Sequence, residues 1–159
     1  MAMELKYDRS LHDNEHKAGP FEITANMIEG LNESLGETNP ALTSSNMAEG
    51  ARVKSDGAKG QGLRAMLAPP TLCSIFMREV NLPDVGIEFG QTRMHAGQRL
   101  QPKAPVYAGD RLTASSYLKD VYAKTGRSGT MVFIVWETTF QNQDGKVVAE
   151  IQESFALRE

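Results

Sequence analysis

The C-terminal third of this chain reads as strands joined by turns too tight for anything but antiparallel neighbours, and this restricts the folds open to it. Runs over 112–124, 130–142 and 146–157 follow one another closely. Only Lys124-Thr125-Gly126-Arg127-Ser128-Gly129 and Asn142-Gln143-Asp144-Gly145 separate them, and the second ends in the Asp-Gly pair that favours a hairpin. Met131-Val132-Phe133-Ile134-Val135-Trp136 is the least polar run, which predicts a central strand buried on both faces. In the last run Val147, Ala149, Ile151, Phe155 and Leu157 fall on one face, interrupted by Glu153. A fourth strand is expected over 92–101. Strict alternation there puts Arg93, His95, Gly97 and Arg99 on one face and Met94, Ala96, Gln98 and Leu100 on the other.

The first half supplies helices. Thr24 is an N-cap type, Met27, Ile28, Leu31 and Leu35 follow near a helical period, and Gly36 is a natural stop, which predicts a helix over 25–35. A second helix opens at Ala68-Pro69-Pro70-Thr71 and ends at Asn81-Leu82-Pro83-Asp84. Leu72, Cys73, Ile75, Phe76 and Val80 leave it little polar face, so it should be buried. One buried helix followed by a four-stranded meander predicts an α+β domain in which an antiparallel sheet wraps a central helix. Such a sheet leaves an edge that needs cover. The expected organisation is a flexible tail over 1–17 and a single domain over 18–159.

A net charge of −3 argues against nucleic acid as a partner. No apolar run reaches the roughly 18 residues of a membrane span. Cys73 is the only cysteine, so no internal disulfide and no cysteine-based metal site can form. The start of the chain is charged and lacks a signal-peptide core, and a cytoplasmic setting is expected. His12 and His16 lie four apart, but their polar surroundings read as tail rather than as a metal site. The segment 55–62 is a glycine-rich loop without the Gly-Lys-Ser/Thr ending that cradles phosphates.

Four passages, in order, resemble the MaoC-like (R)-hydratases and dehydratases, most closely their N-terminal MaoC dehydratase group. They are Glu37-Thr38-Asn39-Pro40, Leu67-Ala68-Pro69-Pro70-Thr71, Met94-His95-Ala96-Gly97-Gln98, and Pro105 through Gly109-Asp110. The resemblance implies the hot-dog fold and an acyl thioester, on coenzyme A or acyl carrier protein, as ligand. It implies water addition or removal across the α,β double bond without a cofactor, and a homodimer or a heterodimer with a second hot-dog subunit. Active members carry Asp-x-Asn-Pro-x-His, whose Asp and His activate one water. Here Glu37 stands at the Asp position, Asn39 and Pro40 match, and Leu42 replaces the His. Leucine cannot relay a proton.

Glu37 and His95 are therefore the candidate catalytic residues. Asn39, Pro70, Gln98, Gly109 and Asp110 are the candidate substrate-binding residues. Asp110 also reads as a turn carboxylate holding backbone amides. Three functions stay open. The chain is a subunit that binds the thioester while a partner hot dog supplies the Asp/His pair. Or it is a self-sufficient hydratase using Glu37 and His95. Or it is a non-catalytic acyl-CoA-binding protein or a hot-dog thioesterase, since fold does not fix function.

Overall fold

The structure, a computed structural model, describes residues 4–39 and 66–158. The loop expected over 55–62, together with Pro40 and Leu42, lies outside the described residues. In chain order the strands are β1 (His16–Glu22), β2 (Thr92–Pro102), β3 (Arg111–Gly126), β4 (Gly129–Gln141) and β5 (Val147–Arg158). They form one sheet in the order β1-β3-β4-β5-β2, and every neighbour is antiparallel.

The strands predicted from turn chemistry are present. Gly129 adopts φ +102° at the β3–β4 turn and Gly145 φ +75° at the β4–β5 turn, where other side chains are strained. Asn142 Oδ1 accepts from the amides of Asp144 and Lys146, closing the second hairpin. β4 is central, as its composition predicts. Val132, Ile134, Trp136 and Phe140 are buried on one face and Val135 on the other, while Met131 and Phe133 are half-buried.

The order differs from the expected meander. Only β3, β4 and β5 follow one another, and β2 pairs with β5 at the far edge. Its connection to β3 carries the Pro105–Asp110 turn, so no tight hairpin forces those two strands together. The fifth strand, β1, starts at His16, inside the segment expected as tail. That segment packs from its first described residues. Leu11 is buried in a cluster with Val85, Leu118 and Trp136. His12 Nδ1 bonds the Leu118 carbonyl at 2.8 Å, and its Nε2 pairs with the Tyr7 hydroxyl at 3.0 Å.

The helix α1 (Ala25–Leu35) has the predicted bounds. Thr24 Oγ1 accepts from the Met27 amide at 3.2 Å. Gly36 closes the helix at φ +64° in the left-handed region. Its inward side is Ile28, with Met27 and Leu31 packed alongside. The second predicted helix is instead a 3₁₀ helix, Leu72–Arg78. Its bonds run i to i+3, as from Leu72 N to Pro69 O at 2.9 Å. So short a segment gains little from its own backbone ladder, and packing of its apolar side chains sets its geometry. Leu72, Cys73, Phe76 and Met77 are buried against the sheet, with Phe76 stacked on Phe21 at 4.7 Å. Phe76, Trp136 and Phe140 are core residues.

On this apolar face Ser116 and Thr138 are both fully buried, and their hydroxyls bond each other at 2.7 Å. A buried hydroxyl left without its partner pays its full desolvation cost, whereas removing both partners does not. Thr138→Val is therefore expected to destabilise the fold by about 1–3 kcal/mol. The double variant Ser116→Ala/Thr138→Val should recover part of that loss. Urea unfolding of both variants checks this, and a double variant less stable than the single one would contradict it.

Candidate functional site

Two places on the domain carry chemistry. The first is a cleft of about 470 Å³. One wall is the stretch that enters the 3₁₀ helix, including Leu67, Pro69, Pro70 and Leu72. The opposite wall runs from Pro102 to Val106, with Val148 and Ala149 of β5 as floor and Asn39 at the rim. Backbone bonds hold these walls in place. Ala68 N donates to Val106 O and Ala108 N to Met66 O, each at 2.8 Å. Lys103 N and Ala104 N both donate to Val148 O, at 2.8 and 3.2 Å. Prolines at 69, 70, 102 and 105 lack amide donors, so they present apolar surface without adding unsatisfied groups.

The lining is almost wholly apolar. Its titratable groups among the described residues are the Cys73 thiol and Lys103. Burial pushes the Cys73 thiol up to about 12, so it stays protonated at neutral pH and is no nucleophile. Lys103 Nζ is 2.8 Å from Glu150 Oε2, and both side chains are exposed. The cleft can hold an extended apolar group with a cation beside its mouth. Among the described residues its lining has no carboxylate or imidazole with which to move a proton.

The second place is the end of the sheet where β2 meets β5. His95 Nε2 lies 3.1 Å from Glu153 Oε1. The Glu153 side chain is only 13% exposed and that of His95 is 48% exposed. His95 sits edge-on to Phe155 at 5.6 Å, and the Arg93 guanidinium lies over the same ring at 4.5 Å. Glu153 is opposite Gln98 on β2 and opposite Trp136 on β4. Strict alternation assigned His95 and Gln98 to opposite faces. The ladder instead shifts between His95 and Gly97, so Ala96 is an extra residue. His95 then faces the side of Phe155 and Gln98 the side of Glu153, and these are one face.

The other predicted residues separate. Asn39 and Pro70 line the cleft. Glu37 follows α1, and its Oε1 accepts from the Asn39 amide at 2.7 Å, which shapes the turn at the cleft rim. The Glu37 carboxylate bonds the Asn39 amide, whereas the His95 ring bonds Glu153. Asp110 holds its own turn. Its Oδ2 accepts from Tyr107 N at 2.8 Å and its Oδ1 from Gln143 Nε2 at 3.0 Å. Gly109 adopts φ +94° and donates its amide to Ile23 O at 2.7 Å. Both residues fix the wall that carries Val106 rather than lining the cleft. Sequence reasoning missed Glu153 as part of a site, although a lone carboxylate in an otherwise apolar alternation was its signal. Among the described residues no cluster of His, Cys, Asp or Glu could hold a metal. No described helix is long and apolar enough to cross a membrane.

A single antiparallel sheet in this order, with helical segments packed on one face, is an α+β hot-dog domain, and solved hot-dog structures superpose on it. The HadBC (3R-hydroxyacyl-ACP dehydratase) complex of Mycobacterium tuberculosis aligns over 98% of this chain and 99% of its own. Its TM-score is 0.63 and the identity is 22%. The R-hydratase PhaJ1 of Pseudomonas aeruginosa aligns over 92% of this chain and 80% of its own, with TM-score 0.61 and 19% identity. In sequence, the chain is 29% identical to a UPF0336 protein of Streptomyces coelicolor over 128 residues, 77% of this chain and 78% of that protein. Residues 12–151 match the FAS1-like dehydratase domain region, and the chain belongs to that family.

The cleft analysis yields a direct test on Cys73. In the folded protein at pH 8 the thiol should resist a disulfide-exchange reagent, and it should react fully once the chain is unfolded in urea. Rapid labelling of the folded chain would contradict the burial described here.

Proposed function

We propose that this chain is the thioester-binding subunit of a hot-dog enoyl-thioester hydratase or (R)-3-hydroxyacyl-thioester dehydratase. In this reading the Asp/His pair that activates water comes from a second hot-dog subunit. The observation that carries it is the composition of the cleft. It is the size of a small-molecule site, its lining is mostly apolar, and among the described residues it has no carboxylate or imidazole. Hydration requires that water add at the β-carbon while a proton is delivered to the α-carbon. A group that takes the water's proton must sit within hydrogen-bond reach. In the cleft Cys73 is fixed as a neutral thiol and Lys103 is engaged by Glu150. The motif that supplies the pair in active relatives has Leu42 where its His belongs.

The apolar walls suit an acyl chain, whose burial contributes about 0.8 kcal/mol per methylene. Lys103 beside the mouth suits a phosphate of coenzyme A or of the phosphopantetheine arm. The similar HadBC protein is named as a complex of a 3R-hydroxyacyl-ACP dehydratase, which supports a two-subunit arrangement.

A second reading rests on a specific contact. The His95–Glu153 hydrogen bond orients an imidazole that is half open to solvent, so a self-sufficient hydratase would use His95. Glu37 is the weaker candidate, because its Oε1 holds the Asn39 amide at the turn after α1.

Turnover separates these readings. The purified chain should not hydrate crotonyl-CoA or a longer enoyl-CoA, read as loss of enoyl absorbance. Co-expression with a hot-dog partner carrying an intact Asp-x-Asn-Pro-x-His motif should restore hydration. Turnover by the chain alone, abolished by His95→Ala, would overturn the subunit reading. Release of free coenzyme A would identify a thioesterase. Ala104→Trp, which fills the cleft, should weaken binding of a long enoyl-CoA at least about ten-fold, the equivalent of 1.4 kcal/mol. It should leave the circular dichroism spectrum intact.

A further inference from the structure

The two walls of the cleft are bonded to each other. Leu67 and Tyr107 form an isolated antiparallel bridge. Beside it Ala68 N donates to Val106 O and Ala108 N to Met66 O. Whatever fixes Tyr107 therefore also sets the spacing of the walls. Tyr107 belongs in turn to the Asp110 turn. Its carbonyl accepts from Asp110 N at 3.1 Å, and its amide donates to Asp110 Oδ2 at 2.8 Å. That second bond lasts only while the Asp110 carboxylate is kept from rotating.

The restraint on the carboxylate comes from a distant turn. Gln143, in the β4–β5 hairpin, donates from Nε2 to Asp110 Oδ1 at 3.0 Å. Its Oε1 accepts from Arg111 N, also at 3.0 Å. A backbone N–H can only donate and a carboxylate accepts, so the Gln143 amide fits in one orientation, with both of its ends engaged. The hairpin presents it from a fixed base. Asn142 Oδ1 accepts from the Asp144 and Lys146 amides, and Asn142 N donates to Lys146 O at 3.0 Å. Gln143 itself is exposed and is not among the residues that line the cleft. Bonds thus run from the hairpin through Asp110 and Tyr107 to Leu67 and Ala68, where the wall with Pro69 and Pro70 begins.

We infer that Gln143 is a positioning residue of the cleft. Acting through Asp110, it fixes the spacing of the two apolar walls, and with it the affinity for an acyl chain, without touching the ligand. A site is only as precise as the residues that support it. The effect on affinity rests on the reading of the cleft as the acyl site, whereas the effect on the walls does not.

An exchange of donor and acceptor tests this. Gln143→Glu keeps the acceptor for Arg111 N but sets a carboxylate against that of Asp110. Adding Asp110→Asn restores the bond with its direction reversed and leaves one oxygen at position 110 for Tyr107 N. In the free protein Gln143→Glu should shift the methyl resonances of Leu67 and Val106. It should also speed amide exchange at Ala68 and Ala108 by about five-fold or more, and weaken palmitoyl-CoA binding to a similar degree. The Trp136 indole, buried in the other half of the core, should not move. Asp110→Asn alone should also be impaired, and the double variant should return within about two-fold of wild type, the signature of a direct pair. Gln143→Ala, which removes both bonds without adding charge, should move the same wall signals and keeps the test open if Gln143→Glu folds poorly. Walls unmoved in the single variants, a defect that the double variant leaves unrepaired, or displaced walls with wild-type affinity would each overturn the inference. If the wild-type chain does not bind palmitoyl-CoA, the acyl-site reading fails instead, and the wall signals still decide the role of Gln143.

Discussion

The ladder that strand β4 makes with its two neighbours is the constraint on which the rest depends. The pleat of β4 turns Val132, Ile134, Trp136, Thr138 and Phe140 to one side, and the registers with β3 and β5 align their inward residues with this row. The row divides the core. Around Phe140 it meets the cluster of α1 and the 3₁₀ helix, and around Trp136 it meets the cluster that holds Leu11 and Val85. A one-residue slip in either register would carry the buried set of the neighbouring strand to the opposite face. It would also remove the match between the Ser116 and Thr138 hydroxyls.

The functional features follow from this frame. Ala149 of β5 lies opposite Phe140 and Pro102, so the end of the sheet near Phe140 becomes the floor and one wall of the cleft. Glu153 lies opposite Trp136 and reaches His95 at the other end. The apolar cleft and the titratable pair are thus separated along β5 rather than combined. An apolar cleft whose described lining lacks carboxylates and imidazoles would suit the proposed sharing of chemistry with another subunit.

Much of this was legible in the sequence where local chemistry decides the outcome. Thr24, Gly36 and the turn Asn142-Gln143-Asp144-Gly145 act through their own neighbours, so α1 and the β4–β5 hairpin fell where the residues indicated. Asp110 likewise accepts from the Tyr107 amide of its own turn. What was hidden is non-local. Which strand β2 joins depends on a partner more than forty residues away, since Gln98 pairs with Glu153. A bulge at Ala96 leaves no mark in an alternation already mixed in polarity. Docking of the N-terminal segment rests on a few contacts scattered through a polar stretch, Leu5, Tyr7 and Leu11 on the core and the His12 ring on the Leu118 carbonyl. The cleft is likewise assembled from the distant stretches around Pro69, Pro105 and Val148. The family resemblance reached Asn39 and Pro70, and Lys103 could be weighed as a phosphate contact from the sequence, while the pairing of Glu153 with His95 came only through the fold.

The most direct test of the central claim is to map where a long enoyl-CoA touches the isolated chain by NMR, following amide and methyl shifts during titration. The account predicts saturable changes at Leu67, Leu72, Val106 and Val148, with His95 and Glu153 unmoved and the enoyl group left unconverted. Changes centred on His95, Glu153 and Gln98, or conversion of the ligand during the titration, would contradict it.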